Sequence, residues 1–199
     1  MVSDSAVCKA DGKWMVLTWL PPLTVASWAA LAWPEYSHLR HSLSQLAAHA
    51  PWLGVLLFLW PGLGMAWHAH RARGRLPEGS GLGLRLAWQM ALLAALAFAL
   101  QGVLPFDAAR PADEDANRLH VLAGMLWWLC LWLMAGCAML ARTLPGKRRL
   151  WMALLWLAIP ALALLAPAFT SGALALRLAI LLWILMVLIV RGGRFRNRS

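Results

Sequence analysis

Six long apolar stretches, separated by short polar loops, dominate the pattern of the chain. Each is close to the roughly 20 residues that an α-helix needs to cross a bilayer. They run from Trp14 to Trp33, Pro51 to His68, Leu84 to Pro105, Leu119 to Ala141, Leu150 to Phe169 and Ala173 to Val190. The pattern predicts an all-α membrane protein, a bundle of six transmembrane helices.

Composition supports this class and excludes a soluble domain. Hydrophobic residues make up 62% of the 199 positions and charged residues only 13%, which is too apolar for a soluble fold of this size. We therefore expect one membrane domain over residues 14–190, with an N-terminal tail at 1–13 and a basic C-terminal tail at 191–199. No secretory signal is recognisable at the start, so the first helix is expected to remain in the mature chain.

The 18 lysines and arginines are distributed unevenly between the two sides of the predicted bundle. Positions 40, 110, 118 and 177 are the only basic ones expected on one side, and all the others fall in the termini or in the loops after the second and fourth helices. This asymmetry predicts that both termini of this multi-pass membrane protein are cytoplasmic. We therefore interpret the net charge of +10 as serving contact with anionic lipid headgroups. Nucleic acid is not an expected partner.

The loop after the first helix is rich in titratable and hydroxyl groups. Its periodicity is helical: Leu39, Leu43 and Leu46 share one face, while His38, His41, Gln45 and His49 share another. The pattern predicts a short amphipathic helix lying at the outer membrane surface.

The second outward loop, from Gly102 to His120, carries further polar residues. Asp107 and Arg118 lie within it, and Gln101 is one turn inside the membrane. His120 stands at the boundary of an apolar span, where an ionisable group carries a desolvation cost and is a functional candidate. The alternative is that His120 only binds a loop carbonyl.

Histidine spacing raises the possibility of a metal site. His38 and His41 are three residues apart on the predicted helix, a spacing that can bring two imidazoles to one ion. A third ligand would be Asp107 or His120.

Four short segments of these outward loops resemble a known family. They read Pro-Glu-Tyr-Ser-His from Pro34, Ser-Leu-Ser-Gln-Leu from Ser42, Gly-Val-Leu-Pro-Phe-Asp from Gly102 and Leu-His from Leu119. In order and spacing they are similar to the bacterial domain-of-unknown-function family 998. The resemblance implies a six-helix membrane protein with its special residues on the outward face, and it implies no activity.

The chain departs from the family pattern at four positions. Gln45 stands where the family has glutamate, Ala47 where it has glycine, Phe106 where it has cysteine and Val121 where it has asparagine. Chemistry that depends on the glutamate or the cysteine is therefore not expected in this chain.

Two functional hypotheses follow. The first is a non-catalytic accessory or binding component, with an outward-leaflet pocket for an amphiphile such as a membrane lipid or quinone, or for a helix of another membrane protein subunit. It assigns no catalytic residue, no metal and no cofactor. Its candidate binding residues are Tyr36, Ser37, His38, His41, Gln45, Gln101, Asp107, Arg118 and His120.

The second hypothesis is a metal-dependent lipid hydrolase built on His38, His41, Asp107 and His120, with Ser37 orienting the attacked group. Metal-bound water reaches a pKa near 7 and can attack an ester at neutral pH. Haem-based electron transfer is disfavoured, because it needs histidines that face each other from different helices.

Overall fold

The computed structural model describes residues 4–111, 114–169 and 172–191. Within these ranges the chain forms helices joined by turns, and it contains no strand. The elements are α1 (Asp4–Ala32), α2 (Leu43–Ala47), α3 (Pro51–Gly54), a π-helical turn (Val55–Leu59), α4 (Trp60–Gly74), α5 (Leu82–Gln101), α6 (Asp115–Leu140), α7 (Gly146–Phe169) and α8 (Gly172–Arg191). The all-α prediction is confirmed.

Four helical segments are long and apolar enough to cross a membrane, within the ranges that the structure describes. They are Pro51–Gly74, Leu82–Gln101, Asp115–Leu140 and Ala173–Arg191, and they overlap most of the second, third, fourth and sixth predicted spans. The predicted spans at 14–33 and 150–169 fall in α1 and α7, and their crossing of the membrane remains a prediction.

The structure describes most of the predicted N-terminal tail but almost none of the predicted C-terminal tail. α1 begins at Asp4, so most of the predicted tail at 1–13 is helical and continuous with the first apolar stretch. Residues 192–199, nearly all of the basic C-terminal tail, lie outside the described residues.

Consecutive long helices pack side by side and run in opposite directions, with α5 between α4 and α6. Thr143 Oγ1, after α6, donates a hydrogen bond of 3.2 Å to the carbonyl of Ser80, before α5. We call the end of the bundle with these two loops the Arg71 end. The opposite end, with residues 33–50 and 102–114, is the His120 end.

Aromatic side chains fill the centre of the bundle. The Phe98 ring lies 5.2 Å from Trp127 and 5.5 Å from Trp183, centroid to centroid, and all three are buried. Such deep aromatic rings contribute to helix packing through their large contact area.

Small residues allow close contact between α4 and its neighbours, as their positions in the sequence suggest. A Cβ added at Gly62 would lie 2.6 Å from the backbone nitrogen of Ala99. One at Gly54, before the π-helical turn, would lie 3.0 Å from the carbonyl oxygen of Gly102. Both ends of this turn are therefore held against α5.

The short helix predicted in the first loop is present but begins only at Leu43. Ser42 caps it: its side chain accepts a hydrogen bond from the Gln45 amide, while the Gln45 side chain accepts one from the Ser42 amide. This capping box fixes the helix start. Leu43 and Leu46 are buried, whereas Leu39 precedes the helix and is 62% exposed.

Candidate functional site

The polar residues predicted from the sequence gather at the His120 end, but in separate groups. One group surrounds an open cavity of about 290 Å³ between α2, α5, α6 and α8. A second group surrounds Arg177, near the start of α8. A third group connects the loop before α6 to that helix through hydrogen bonds.

A serine–histidine hydrogen bond lies at the wall of the cavity. Ser44 Oγ is 2.8 Å from His120 Nε2, and His120 Nδ1 is 3.3 Å from the carbonyl oxygen of Leu104. A carbonyl only accepts, so Nδ1 carries the proton and Nε2 of the neutral ring accepts from the serine hydroxyl. Both side chains are buried. The sequence-based alternative, that His120 binds a loop carbonyl, therefore describes one half of its bonding.

Gln101, which also lines this cavity, has an unsatisfied side-chain donor. The residue is only 6% exposed, and its Nε2 is buried without a hydrogen-bond partner among the described residues. A Cβ added at Gly124 would lie 3.3 Å from Gln101 Oε1, so a glycine on α6 leaves room for this amide. An unmet buried donor costs about 1–3 kcal/mol, which a ligand with an acceptor oxygen would recover.

Arg177 is the centre of the second group. Its Nη2 lies 2.6 Å from the Tyr36 hydroxyl, 3.2 Å from the His41 carbonyl and 3.3 Å from His38 Nδ1, and its Nη1 donates to the carbonyl of Ala173. All four partners are uncharged acceptors. Arg177 forms no ion pair with a carboxylate of the described residues.

Burial controls the protonation of the two groups that face Arg177 from the first loop. It raises the pKa of the Tyr36 hydroxyl despite the nearby guanidinium, so the phenol stays neutral. Burial, and secondarily the Arg177 charge, lower the pKa of His38. The first loop therefore presents neutral acceptors to this cation.

Two other predicted residues stabilise the loop locally. Ser37 donates its amide hydrogen to His41 Nδ1 at 2.9 Å, and Gln45 completes the Ser42 cap. Their polar atoms are engaged within their own turns.

Asp107 and Arg118 lie in the third group. Asp107 pairs with Arg110 at 3.0 Å, and Arg118 pairs with Asp115 at 3.8 Å, with all four side chains largely exposed. The organiser here is the buried Asn117, whose Nδ2 donates to three carbonyls of residues 107–111 and whose Oδ1 accepts from the Asp107 amide.

The three histidines proposed as metal ligands, and Asp107, proposed as a ligand or general base, are divided among these groups. His38 and His41 lie beside Arg177, His120 binds Ser44, and Asp107 is engaged with Arg110. Within the described residues, no three His, Cys, Asp or Glu side chains gather as they would around a metal ion.

Sequence reasoning missed two central residues. Ser44 belongs to one of the segments that resemble the family, but the sequence pattern suggested no role for it. Arg177 was counted only as a cation on the less basic side. A single arginine near the start of an otherwise apolar span is a signal that could have identified it.

A helical membrane protein is the class that these elements define. The chain belongs to the family described as "Protein of unknown function (DUF998)", whose model matches residues 2–191. The family resemblance inferred from the two outward loops is thus confirmed. No curated protein matches the chain, and no solved structure matches it.

Proposed function

We propose that the protein binds an amphiphile at the His120 end, with an oxygen-bearing headgroup against Gln101 and apolar parts against the cavity wall. The observation that carries this proposal is the buried Gln101 Nε2, which has no hydrogen-bond partner among the described residues and belongs to a residue of the cavity wall. Val121, Met125 and Trp128 supply apolar wall. Such a combination of apolar lining and few polar groups is typical of small-molecule sites.

The Arg177 group favours a headgroup that is also acidic. Leu176, the residue before Arg177, lines the cavity, as does Ser42, the residue after His41. The two chain segments that Arg177 joins therefore both reach the cavity wall. The guanidinium is charged, half-buried and surrounded by neutral acceptors, so a phosphate or carboxylate beside it gains Coulomb attraction.

We propose that this site lies in the outward leaflet of a bacterial inner membrane. Six spans with both termini cytoplasmic explain the distribution of basic residues. Cysteine labelling tests this: in a Cys8→Ser background, Ala109→Cys should react with a membrane-impermeant maleimide in intact cells and Glu78→Cys only after lysis. Both positions are exposed in loops at opposite ends. The reverse labelling pattern would overturn the orientation.

Native mass spectrometry of protein extracted gently from its own membrane tests the binding proposal. We expect associated acidic lipid in the wild-type spectrum, with the affinity for one bound molecule reduced about tenfold by Gln101→Leu, since a lost hydrogen bond to a charged group is worth about 1.5–3 kcal/mol. Gln89→Leu, on the same helix but at the Arg71 end, is the matched control. A quinone or a protein subunit in place of the lipid would redirect the proposal, and an equal effect of both variants would refute it.

A second candidate function is suggested by the Ser44–His120 bond. A serine that donates to a histidine whose other nitrogen is fixed is the arrangement of an activated nucleophile. In that reading Ser44 Oγ attacks the carbonyl of a lipid ester and passes its proton to His120, which protonates the departing alcohol. Water then hydrolyses the acyl-serine. This route uses His120 without the metal of the hydrolase predicted from the sequence.

A serine-reactive fluorophosphonate probe distinguishes the two functions. Labelling that Ser44→Ala abolishes and Ser42→Ala retains would support the hydrolase. Absence of labelling in a protein that still carries lipid would leave only the binding function.

A further inference from the structure

A second cavity lies at the Arg71 end, opposite the site described above. It measures about 430 Å³ and lies between α1, α4, α5 and the end of α8. This size is within the roughly 300–1,000 Å³ of small-molecule sites. None of the residues predicted to bind a ligand lines it.

Tryptophans form the walls of this cavity. Trp14 and Trp60 are half-exposed, whereas Trp88 is buried, with only 2% of its surface exposed. The indole Nε1 of Trp60 donates a hydrogen bond of 3.2 Å to the Leu17 carbonyl, which joins α4 to α1. The result is an apolar cleft with a fixed wall.

Arginines surround the other part of the cavity. Arg71, Arg75 and Arg191 line it, and the Arg71 guanidinium lies 5.4 Å from the centre of the Trp67 ring. No acidic residue is present among the described residues that line it. The cavity is therefore basic in one part and apolar in the other.

These two parts are separated along the helix axis. Trp60 and Arg71 are eleven residues apart on α4, which corresponds to about 16 Å at 1.5 Å per residue. A ligand that satisfies both must be elongated, with an anionic group at one end and an apolar chain at the other.

We infer that this cleft binds one acidic phospholipid, with its phosphate at Arg71 and an acyl chain along Trp60 and Leu63. Charge complementarity selects the anionic headgroup, because a cation at a membrane surface attracts acidic lipids. The apolar walls exclude a soluble anion as the main occupant, since most of the cleft would then remain without a partner. The site is independent of Gln101 and His120.

Tryptophan quenching by brominated lipids provides the test, because the cleft contains several of the 14 tryptophans of the chain. Purified full-length protein in detergent micelles is titrated with phosphatidylglycerol or phosphatidylcholine, each with a brominated acyl chain. We expect saturable quenching by phosphatidylglycerol at lower lipid fractions than by phosphatidylcholine. Inorganic phosphate at millimolar concentration should not displace the lipid.

Variants localise the effect. Arg71→Gln should weaken phosphatidylglycerol binding about fivefold, the equivalent of one surface cation, and leave phosphatidylcholine unchanged. Arg73→Gln, two residues away and outside the cleft, is the matched control. Leu63→Phe should reduce quenching by filling the acyl path without removing charge. Equal quenching by the two lipids, equal effects of the two arginine variants, or displacement by phosphate would each overturn the inference.

Discussion

The Tyr36 hydroxyl lies 2.6 Å from Nη2 of Arg177, although the two residues are 141 positions apart. This bond joins the first loop to the start of α8. It also gives a half-buried cation one of its few acceptors.

Tyr36→Phe should lower the unfolding free energy by about 1–2 kcal/mol, because it removes the shortest of the three hydrogen bonds of Arg177 Nη2. Thermal unfolding in detergent measures this as a lower melting temperature. A double-mutant cycle with Arg177→Gln is the control. The two effects should be less than additive, and strict additivity would show that the bond does not contribute.

Asn117→Ala should release the loop before α6. The side chain is fully buried and makes four hydrogen bonds to residues 107–111, so we expect a loss of about 1–3 kcal/mol and faster cleavage after Glu114 by a glutamate-specific endoproteinase. The neighbouring Arg118→Ala, which alters an exposed side chain, should leave both measurements near the wild-type values. Equal effects at the two positions would contradict the assignment.

Gly62→Ala should destabilise the contact between α4 and α5. Its new methyl group would meet the Ala99 backbone at 2.6 Å, and overpacking of this kind costs about 1–3 kcal/mol. Gly74→Ala, with nothing within 4 Å of the added carbon, should be neutral or slightly stabilising. The difference in melting temperature between the two variants is the measurement.

Stability should decrease as the pH falls below the ordinary His38 pKa of 6.5. Burial and Arg177 lower this pKa in the folded state, so the unfolded chain binds the proton more readily. The contribution of neutral His38 is present above pH 6.5 and is lost as the pH falls through the lowered folded pKa. Melting temperatures between pH 7 and pH 4 should therefore depend less on pH in His38→Gln than in wild type. His70→Gln, exposed at the other end, is the control, and an unchanged slope in His38→Gln would contradict the prediction.

The helical class and the positions of the long helices could be predicted because apolar runs of membrane length are a local property of the sequence. The residue at which α2 begins was harder to predict from the sequence. Leu39 shares the helical periodicity of Leu43 and Leu46, but the Ser42 cap begins the helix after it. A capping hydrogen bond therefore prevailed over the hydrophobic pattern.

The site was only partly predictable, because its groups depend on which helices are neighbours. Periodicity placed His38 and His41 together, but it could not show that Arg177, from the last helix, is hydrogen-bonded to their loop. The Ser44–His120 pair joins positions 76 residues apart. Such contacts follow from helix packing and cannot be obtained from spacing along the chain.

The π-helical turn at Val55–Leu59 sets the register between Gly54 and Gly62. Eight positions apart in a regular α-helix, these glycines would point in different directions, whereas positions seven apart share a face. A π turn accommodates one extra residue, so Gly62 contacts α5 at Ala99 and Gly54 contacts Gly102, the residue directly after α5. The π turn therefore accommodates this extra residue without changing the direction in which the two glycines face. Removing one residue within the turn would leave a regular helix with the same two contacts.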